Sequence, residues 1–579
     1  MAERTTPETA LPSERRQVGT LHNITPLLLW SLPLVFLGVF FFLPLGRVFG
    51  LAVQAALVQG ADAALLNRVW SPLGFTIYQA ALSTLLTLIV GLPGAYVFGR
   101  FHFPGKSALR IMTTLPFIMP TVVVAASFNA LLGSRGWVNV LLMDVFDLSA
   151  PPIQILNSLP AILLAHVFYN TTIVIRVVGT ALEQLDPRME QAARVLGASP
   201  WRTFWEVTLP LLRPALLSAL LLVFMFDFTS FGVILLLGGP RYATIEVEIY
   251  LQALQMLNLP LAGLLSAVQL FFTLLLTLAY SALAGRRIVQ VAPRVQEEGL
   301  RQPHGWRERL VVWGTVTVLA LLLVSPLAAL SLRSVTRLET ARNETVLKLA
   351  LTFDYYQELF INRRSSLFYV PPITAARNSL AYAAVTVVLS LLFGSLAAYS
   401  LARPSRLNRL LDPLLMLPLG ASAVTLGLGY IVTFNRPPLD VRSFPLLIPI
   451  AHSLVALPFV VRTLQPAIAS IPASLRQAAA VLGASPWRVW REVDLPIVAR
   501  AGLVSAIFSF TISLGEFGAT TFLSRPEYPT LPVAIFRFLS QPGALNYGQA
   551  LAMATLLMLI CGLSILVLER LRLPVGGDF

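Results

Sequence analysis

An all-α polytopic membrane protein, twelve transmembrane helices in two parallel six-helix repeats, is the fold class this 579-residue sequence predicts. Three observations predict it. Hydrophobic residues make up 56% of the chain and charged residues 12%, with mean hydropathy +0.75; a soluble domain of this length needs far more charge. A polar segment is written twice, as Gln191-Ala192-Ala193-Arg194-Val195-Leu196-Gly197-Ala198-Ser199-Pro200-Trp201-Arg202 and Gln477-Ala478-Ala479-Ala480-Val481-Leu482-Gly483-Ala484-Ser485-Pro486-Trp487-Arg488. Each copy leads to Glu-Val-x-Leu-Pro (Glu206 to Pro210, Glu492 to Pro496), at an offset of 286 residues. That offset holds without a gap from His166/His452 and Arg176/Arg462, through Phe231/Phe517, to Thr244/Thr530 and Tyr250/Phe536. Finally, runs long enough to cross a bilayer core, about 20 apolar residues each, fall into two sets of six.

The elements follow in order. Residues 1–25 form a polar cytoplasmic tail, too long and too mixed in charge for a signal peptide, so the first apolar run, Pro26 to Val48, reads as a retained helix. The first half, 26–300, holds spans near 26–48, 73–98, 111–132, 159–178, 211–236 and 262–284, with its polar loop at 187–210. The second half, 301–579, holds spans near 310–332, 378–402, 412–434, 444–464, 498–523 and 547–568, with its loop at 473–496. With the N-terminus inside, the cytoplasmic loops collect Arg100, Lys106 and Arg110, then Arg188, Arg194 and Arg202. Further along come Arg286, Arg287 and Arg294, then Arg403, Arg406 and Arg409, then Arg476, Arg488 and Arg491. This is the positive-inside pattern of a multi-pass protein of the cell (plasma or inner) membrane with both termini cytoplasmic. One long outer loop, 333–377, dissents with Arg333, Arg337, Arg342, Lys348, Arg363 and Arg364 among its basic residues, and long loops translocate largely regardless of charge. Six spans per half put both polar loops on the cytoplasmic side and relate the halves by a pseudo-twofold axis along the membrane normal. The net charge of +14 sits at the ends of apolar runs, so the partner is the lipid bilayer and not nucleic acid.

The loop has its own local logic. Gly197 permits a chain reversal, Ser199 is a hydroxyl N-cap, and Pro200 sits where its missing N–H costs nothing. Trp201, Phe204 and Trp205 then form one apolar face, and Leu209-Pro210 is expected to stop this short helix. Gly483, Ser485, Pro486, Trp487 and Trp490 repeat the plan. A single copy reads equally as an interfacial helix on lipid headgroups. Two near-identical copies in diverged surroundings point instead to two equal sockets on a soluble partner. The docking residues are Gln191, Ala192, Gly197, Ser199, Pro200 and Trp201, with Gln477, Ala478, Gly483, Ser485, Pro486 and Trp487.

Ala-Ala-x-x-x-Gly, followed at a fixed distance by Leu-Pro, resembles the EAA loop of ABC-importer permeases of the type I fold. Gly94-Ala95-Tyr96 and Ala397-Ala398-Tyr399, closing the second span of each half, and Leu115-Pro116 and Leu417-Pro418, opening the third, extend the resemblance over nearly the whole chain. The resemblance implies import. It also implies a coupling helix at each loop seated on an ATP-hydrolysing subunit, hence two ATPase copies and a soluble or lipid-anchored substrate-binding protein. The usual glutamate is Gln191 in one half and Gln477 in the other, so an ion pair made by that carboxylate does not carry over. Two halves in one chain is the arrangement of the thiamine and iron(III) importers. The segment Gly238 to Tyr250 resembles the thiamine permease, whereas Leu514-Gly515-Glu516-Phe517-Gly518 is shared with iron, sulfate and molybdate permeases.

Nothing in the sequence supplies an engine. Gly105-Lys106-Ser107 imitates the end of a phosphate-binding loop, but Gly99 has five residues between it and Gly105 where the pattern needs four, and a span precedes it where a strand is required. Five histidines show no metal-ligand spacing. The equivalent pair His166 and His452 reads as helix–helix hydrogen bonding. The chain is therefore expected to bind no cofactor, to be no enzyme, and to leave ATP to partner subunits. Ionisable residues inside spans are expensive and point to function. Asp227 aligns with Ser513 and Glu516 with Ser230, so each half carries one carboxylate, a turn apart on one helix face. With Phe228, Phe231 and Phe517 they form the expected substrate pathway, suited to an organic cation. The reading is a permease subunit of an ATP-driven importer for thiamine or iron(III), thiamine favoured. Alternatives are an ABC permease for a polyamine, sulfate or molybdate, and an ion-coupled carrier with six-plus-six helices. A polytopic membrane enzyme would need clustered catalytic groups at one membrane face.

Overall fold

Ten helices of the computed structural model are long and apolar enough to cross a membrane, and two bent helix pairs bring the number to twelve. The structure describes residues 29–59, 63–239, 241–284, 300–340, 347–361, 370–402, 405–437, 439–440 and 444–571; the expected N-terminal tail and Arg286, Arg287, Arg294 and Arg403 lie outside them. In the first half the spans are Leu29–Leu57, Ala63–Arg100, the bent pair from Lys106 to Phe146, Leu159–Gln184, Pro200–Phe228 and Leu259–Ala282. In the second they are Gly305–Ser334, Pro372–Leu401, the bent pair from Arg406 to Thr433, Leu447–Ala469, Pro486–Gly515 and Ala544–Leu568.

The third and ninth spans differ from the straight rods that their hydropathy predicts. They bend by 110° and 95°. In the third, Met119 precedes Pro120 and is extended (ψ 136°), because the proline ring bars the helical conformation of the residue before it. In the ninth, Ala421 is extended (ψ 132°), and Ser422 restarts the helix by accepting hydrogen bonds from the Val424 and Thr425 amides at 3.1 and 3.3 Å. The fifth and eleventh spans also stop early. Short helices Gly232–Leu237 and Gly518–Leu523 follow Phe228 and Gly515 after breaks of a few residues. Gly232 allows its helix to rest on the restart of the third span, since a Cβ there would lie 2.2 Å from Thr121 Oγ1.

The first span of each half packs on the other half. Trp30, Phe36, Leu37 and Phe41 share a buried core with Leu411, Leu415 and Tyr430. Trp30 Nε1 donates to Asn408 Oδ1 at 3.0 Å, and Phe36 stacks on Phe393 with ring centroids 4.1 Å apart. Reciprocally, Val312 and Leu319 of the seventh span join Val97, Phe98 and Phe101. The halves are thus clasped by exchanged helices. Trp30→Phe removes the Trp30 hydrogen bond to the buried Asn408 side chain and is expected to cost about 1–3 kcal/mol. A lowered thermal midpoint of the solubilised chain is the expected result; an unchanged one contradicts the clasp. In the segment between the seventh and eighth spans, Thr336–Thr340 and Leu347–Leu351 pair as antiparallel strands with Thr336 opposite Leu351.

Candidate functional site

Each polar loop is a helix, a glycine reversal and a second helix. In the first copy the helix Pro187–Val195 begins with the Asp186 carboxylate accepting from the Arg188 amide at 2.9 Å. Gly197 turns the chain at φ +88°, a conformation that favours glycine. The Ser199 hydroxyl then accepts from the Arg202 amide at 3.3 Å, with Pro200 at the first helical position. In the second copy Ala473–Val481, Gly483 at φ +82° and Ser485 accepting from the Arg488 amide at 3.4 Å, ahead of Pro486, repeat the pattern.

The helix does not stop at Leu209-Pro210. It runs unbroken from Pro200 into the fifth span, and from Pro486 into the eleventh. A π-helical turn, Phe204–Thr208 in one copy and Trp490–Asp494 in the other, sits just before each proline. In each turn the last amide, Leu209 or Leu495, bonds to the carbonyl five residues back. The widened turn lets the helix continue past a proline ring that clashes with a regular α-turn.

The tip is apolar and bare. Val195, Leu196 and Trp201 are 87, 88 and 71% exposed, and Val481, Leu482 and Trp487 are 87, 88 and 67% exposed. Sequence reasoning found the tryptophans and missed the Val-Leu pairs. The signal was available, since two apolar residues precede the loop glycine in both copies. Gln191, Ala192, Gln477 and Ala478 are exposed on the preceding helices. Behind each tip the offset of 286 relates a contact whose polarity is exchanged. Glu190 pairs with Arg100 and accepts from Thr208 Oγ1 at 2.8 Å; the equivalent residues Arg476 and Asp494 form an ion pair at 2.8 Å. In the first half, then, the carboxylate next to Gln191 holds the loop to the second span.

The second candidate site is the seam between the halves. Phe231 and Phe517 are equivalent by the offset, are buried, and stack with centroids 5.6 Å apart and planes 23° from parallel. Equivalent residues touch each other only at the axis that relates them, so the pseudo-twofold passes between these rings. Tyr250 packs on Phe231 at 5.5 Å and its equivalent Phe536 on Phe517 at 5.4 Å. Four rings therefore cross the seam in symmetrical order. Phe228 lies within the first half, against Phe224 and Phe272.

Asp227 and Glu516 are buried, and every contact of their side chains below stays within their own half. Asp227 Oδ1 accepts from Asn170 Nδ2 at 2.7 Å and lies 3.3 Å from His166 Nδ1. Glu516 caps the short helix that follows it: it accepts from the Ala519 and Thr520 amides at 2.9 and 3.0 Å and from Thr520 Oγ1 at 2.6 Å. His452 Nε2 lies 3.2 Å from it. The other ring nitrogens meet serines, His166 Nε2 with Ser230 and His452 Nδ1 with Ser513, both at 2.8 Å. Each histidine thus spans the same two positions of its neighbouring span. Acid and serine have exchanged places between the halves.

The sequence signature of the binding-protein-dependent transport system inner membrane component matches residues 91–289 and again 390–572. The chain belongs to this family. It is the transmembrane permease subunit of an ABC importer, a multi-pass membrane protein and not an enzyme, and the family implies a partner ATPase and a substrate-binding protein. Among its relatives, the thiamine transport system permease protein of Escherichia coli (strain K12) is 28% identical over 517 residues, covering 87% of this chain and 89% of that one. That of Brucella abortus (strain 2308) is 26% identical over 538 residues, covering 91 and 92%. The "Probable sulfate transport system permease protein cysT" of Nephroselmis olivacea is 28% identical over 272 residues, which are 94% of that protein and 47% of this permease. One permease half therefore exists as a chain of its own.

Proposed function

We propose that this permease imports thiamine, driven by two copies of an ATPase subunit seated one on each of the loops 187–210 and 473–496. The observation that carries the reading is the aromatic ladder Tyr250, Phe231, Phe517 and Phe536 at the axis between the halves. Aromatic faces attract a cation by about 0.5–2 kcal/mol each and stack against a planar ring, and thiamine offers both a charge and rings. The full-length relatives named for thiamine transport support the same solute. Both termini and both loops face the cytoplasm in this reading. A soluble or lipid-anchored binding protein delivers the solute at the opposite face, and the chain itself binds no cofactor and leaves ATP to its partners. Phe231 and Phe517 close the path while they touch. Phe228, Asp227 and Glu516 stand behind them, holding the broken helix ends that carry the two rings.

Uptake of labelled thiamine and of labelled iron(III), measured side by side in cells with and without the gene, tests this. Loss of thiamine uptake with iron uptake retained is the expected result. Loss of iron uptake alone keeps the architecture and sinks the solute.

A further inference from the structure

Of the five buried carboxylates among the described residues, Glu358 lies on a short helix between the seventh and eighth spans and Asp494 pairs with Arg476 behind the second loop, which leaves three deeper in the bundle. Asp227 accepts from Asn170 with His166 3.3 Å away and its Oδ2 without a hydrogen-bond partner, inside its own half; Glu516 has His452 at 3.2 Å together with two amides at a helix start. The third is Glu246, 1% exposed, on the short helix Ile245–Tyr250. Its hydrogen-bond partners are neutral: Gln269 Nε2 of the sixth span, and Ser422 Oγ of the ninth, 2.7 Å from Oε2. Among the described residues no Lys, Arg or His forms an ion pair with it. An ionisable group inside a membrane bundle is costly and is ordinarily paired.

Its place adds a second argument. Ser422 belongs to the other half and lies at the bend of the ninth span, so the Glu246–Ser422 bond crosses the seam. Tyr250 stands one helical turn after Glu246, packs on Phe231 of the axial stack, and meets Phe522 of the second half at 6.0 Å. Buried oxygens without a hydrogen-bond partner occur on Thr244, two residues before Glu246, on Gln269 itself (Oε1), and on Thr425, three residues after Ser422. The carboxylate and the aromatic ladder therefore share one stretch of the seam. Both the Phe231–Phe517 stack and the Glu246–Ser422 bond cross between the halves, so separation of the halves as units breaks both.

We infer that Glu246 is the specificity-determining carboxylate of the permeation path: it bonds Ser422 while the halves are closed and receives the positive charge of the solute when they part. The inference rests on the cationic solute proposed above. It adds Glu246, at the seam itself, to Asp227 and Glu516, whose side-chain contacts described above stay within their own halves.

Proteoliposomes holding the permease, its ATPase and its binding protein test it, with radiolabelled thiamine as the probe. Glu246→Gln keeps an oxygen for Ser422, removes the charge, and turns an N–H donor toward Gln269, whose unpartnered Oε1 accepts it once that amide rotates. At saturating loaded binding protein, uptake is expected to fall about tenfold or more, while basal ATP hydrolysis and its stimulation by the binding protein stay within about twofold of wild type. Glu246→Asp keeps the charge on a shorter arm and is expected to fall between wild type and Gln, again with hydrolysis retained. It decides the matter alone if the Gln variant does not accumulate. Unchanged uptake overturns the inference, and so does a parallel loss of uptake and stimulated hydrolysis, which marks a structural role. Wild-type vesicles that move no thiamine overturn the solute and this inference together. Wild-type vesicles that move thiamine as well as the Gln variant does overturn this inference only.

Discussion

Aspartate placed at Leu196 and Leu482 together is expected to strip the ATPase from the permease and to lower uptake at least about a hundredfold. Both side chains are 88% exposed at the tip of a glycine reversal, so neither supports the fold. Leu196 and Leu482 share their tips with Trp201 and Trp487, exposed aromatic side chains of the kind that anchor in a pocket on a partner. A carboxylate carried into that pocket loses its water without gaining a partner charge. Each single substitution spares one socket and is expected to leave one ATPase bound. Co-purification of the ATPase with solubilised permease reads both effects. Full recovery of ATPase on the double variant contradicts the docking role of the loops. Deleting the helix that follows Gly197 is a poorer test, because that helix is continuous with the fifth span and its removal shortens the span itself.

Replacing Phe231 and Phe517 together by alanine is expected to open a leak. The two rings meet at the axis and nothing else in the described seam lies between them. Each Phe→Ala change in a packed core costs about 3–5 kcal/mol, and here both cavities fall at one point on the path. Vesicles preloaded with labelled thiamine are expected to lose it without ATP when they carry the double variant, and to retain it when they carry wild type. Phe228→Ala is the control. It removes a buried ring of the first half and is expected to lower the thermal midpoint without a leak. Equal efflux from all three removes the seal from the axial stack.

Much of this was legible in the sequence, because an offset of 286 residues survives wherever both halves need the same geometry. It located both loops, the pairing of His166 with His452, and the exchange of acid and serine at 227/513 and 230/516. The aromatic stack was legible only in part: Phe231 and Phe517 were visible as equivalents, but their contact follows from the axis, which a sequence does not locate. Hydropathy, blind to direction, ran straight through the bends at Met119-Pro120 and Ala421-Ser422 and through the breaks after Phe228 and Gly515. Pro210 was expected to end a helix that a π-turn carries past it. The exchange of first spans, fixed by Trp30 and Asn408 at a separation of 378 residues, left no local trace. Glu246 stood in a segment singled out for its resemblance. It drew no weight because only the fold shows that its carboxylate has no basic partner among the described residues and reaches Ser422.

The central claim is that solute passes between the halves where Phe231 meets Phe517, so these residues must separate in every cycle. The most direct measurement joins them. Cysteines at both positions, in a chain whose one native cysteine, Cys561, is replaced by serine, are bridged with a short bifunctional thiol reagent, and thiamine uptake is followed before bridging, after it, and after reductive release. Uptake that stops on bridging and returns on release is the result this account predicts. Bridged permease that transports at the unbridged rate contradicts it.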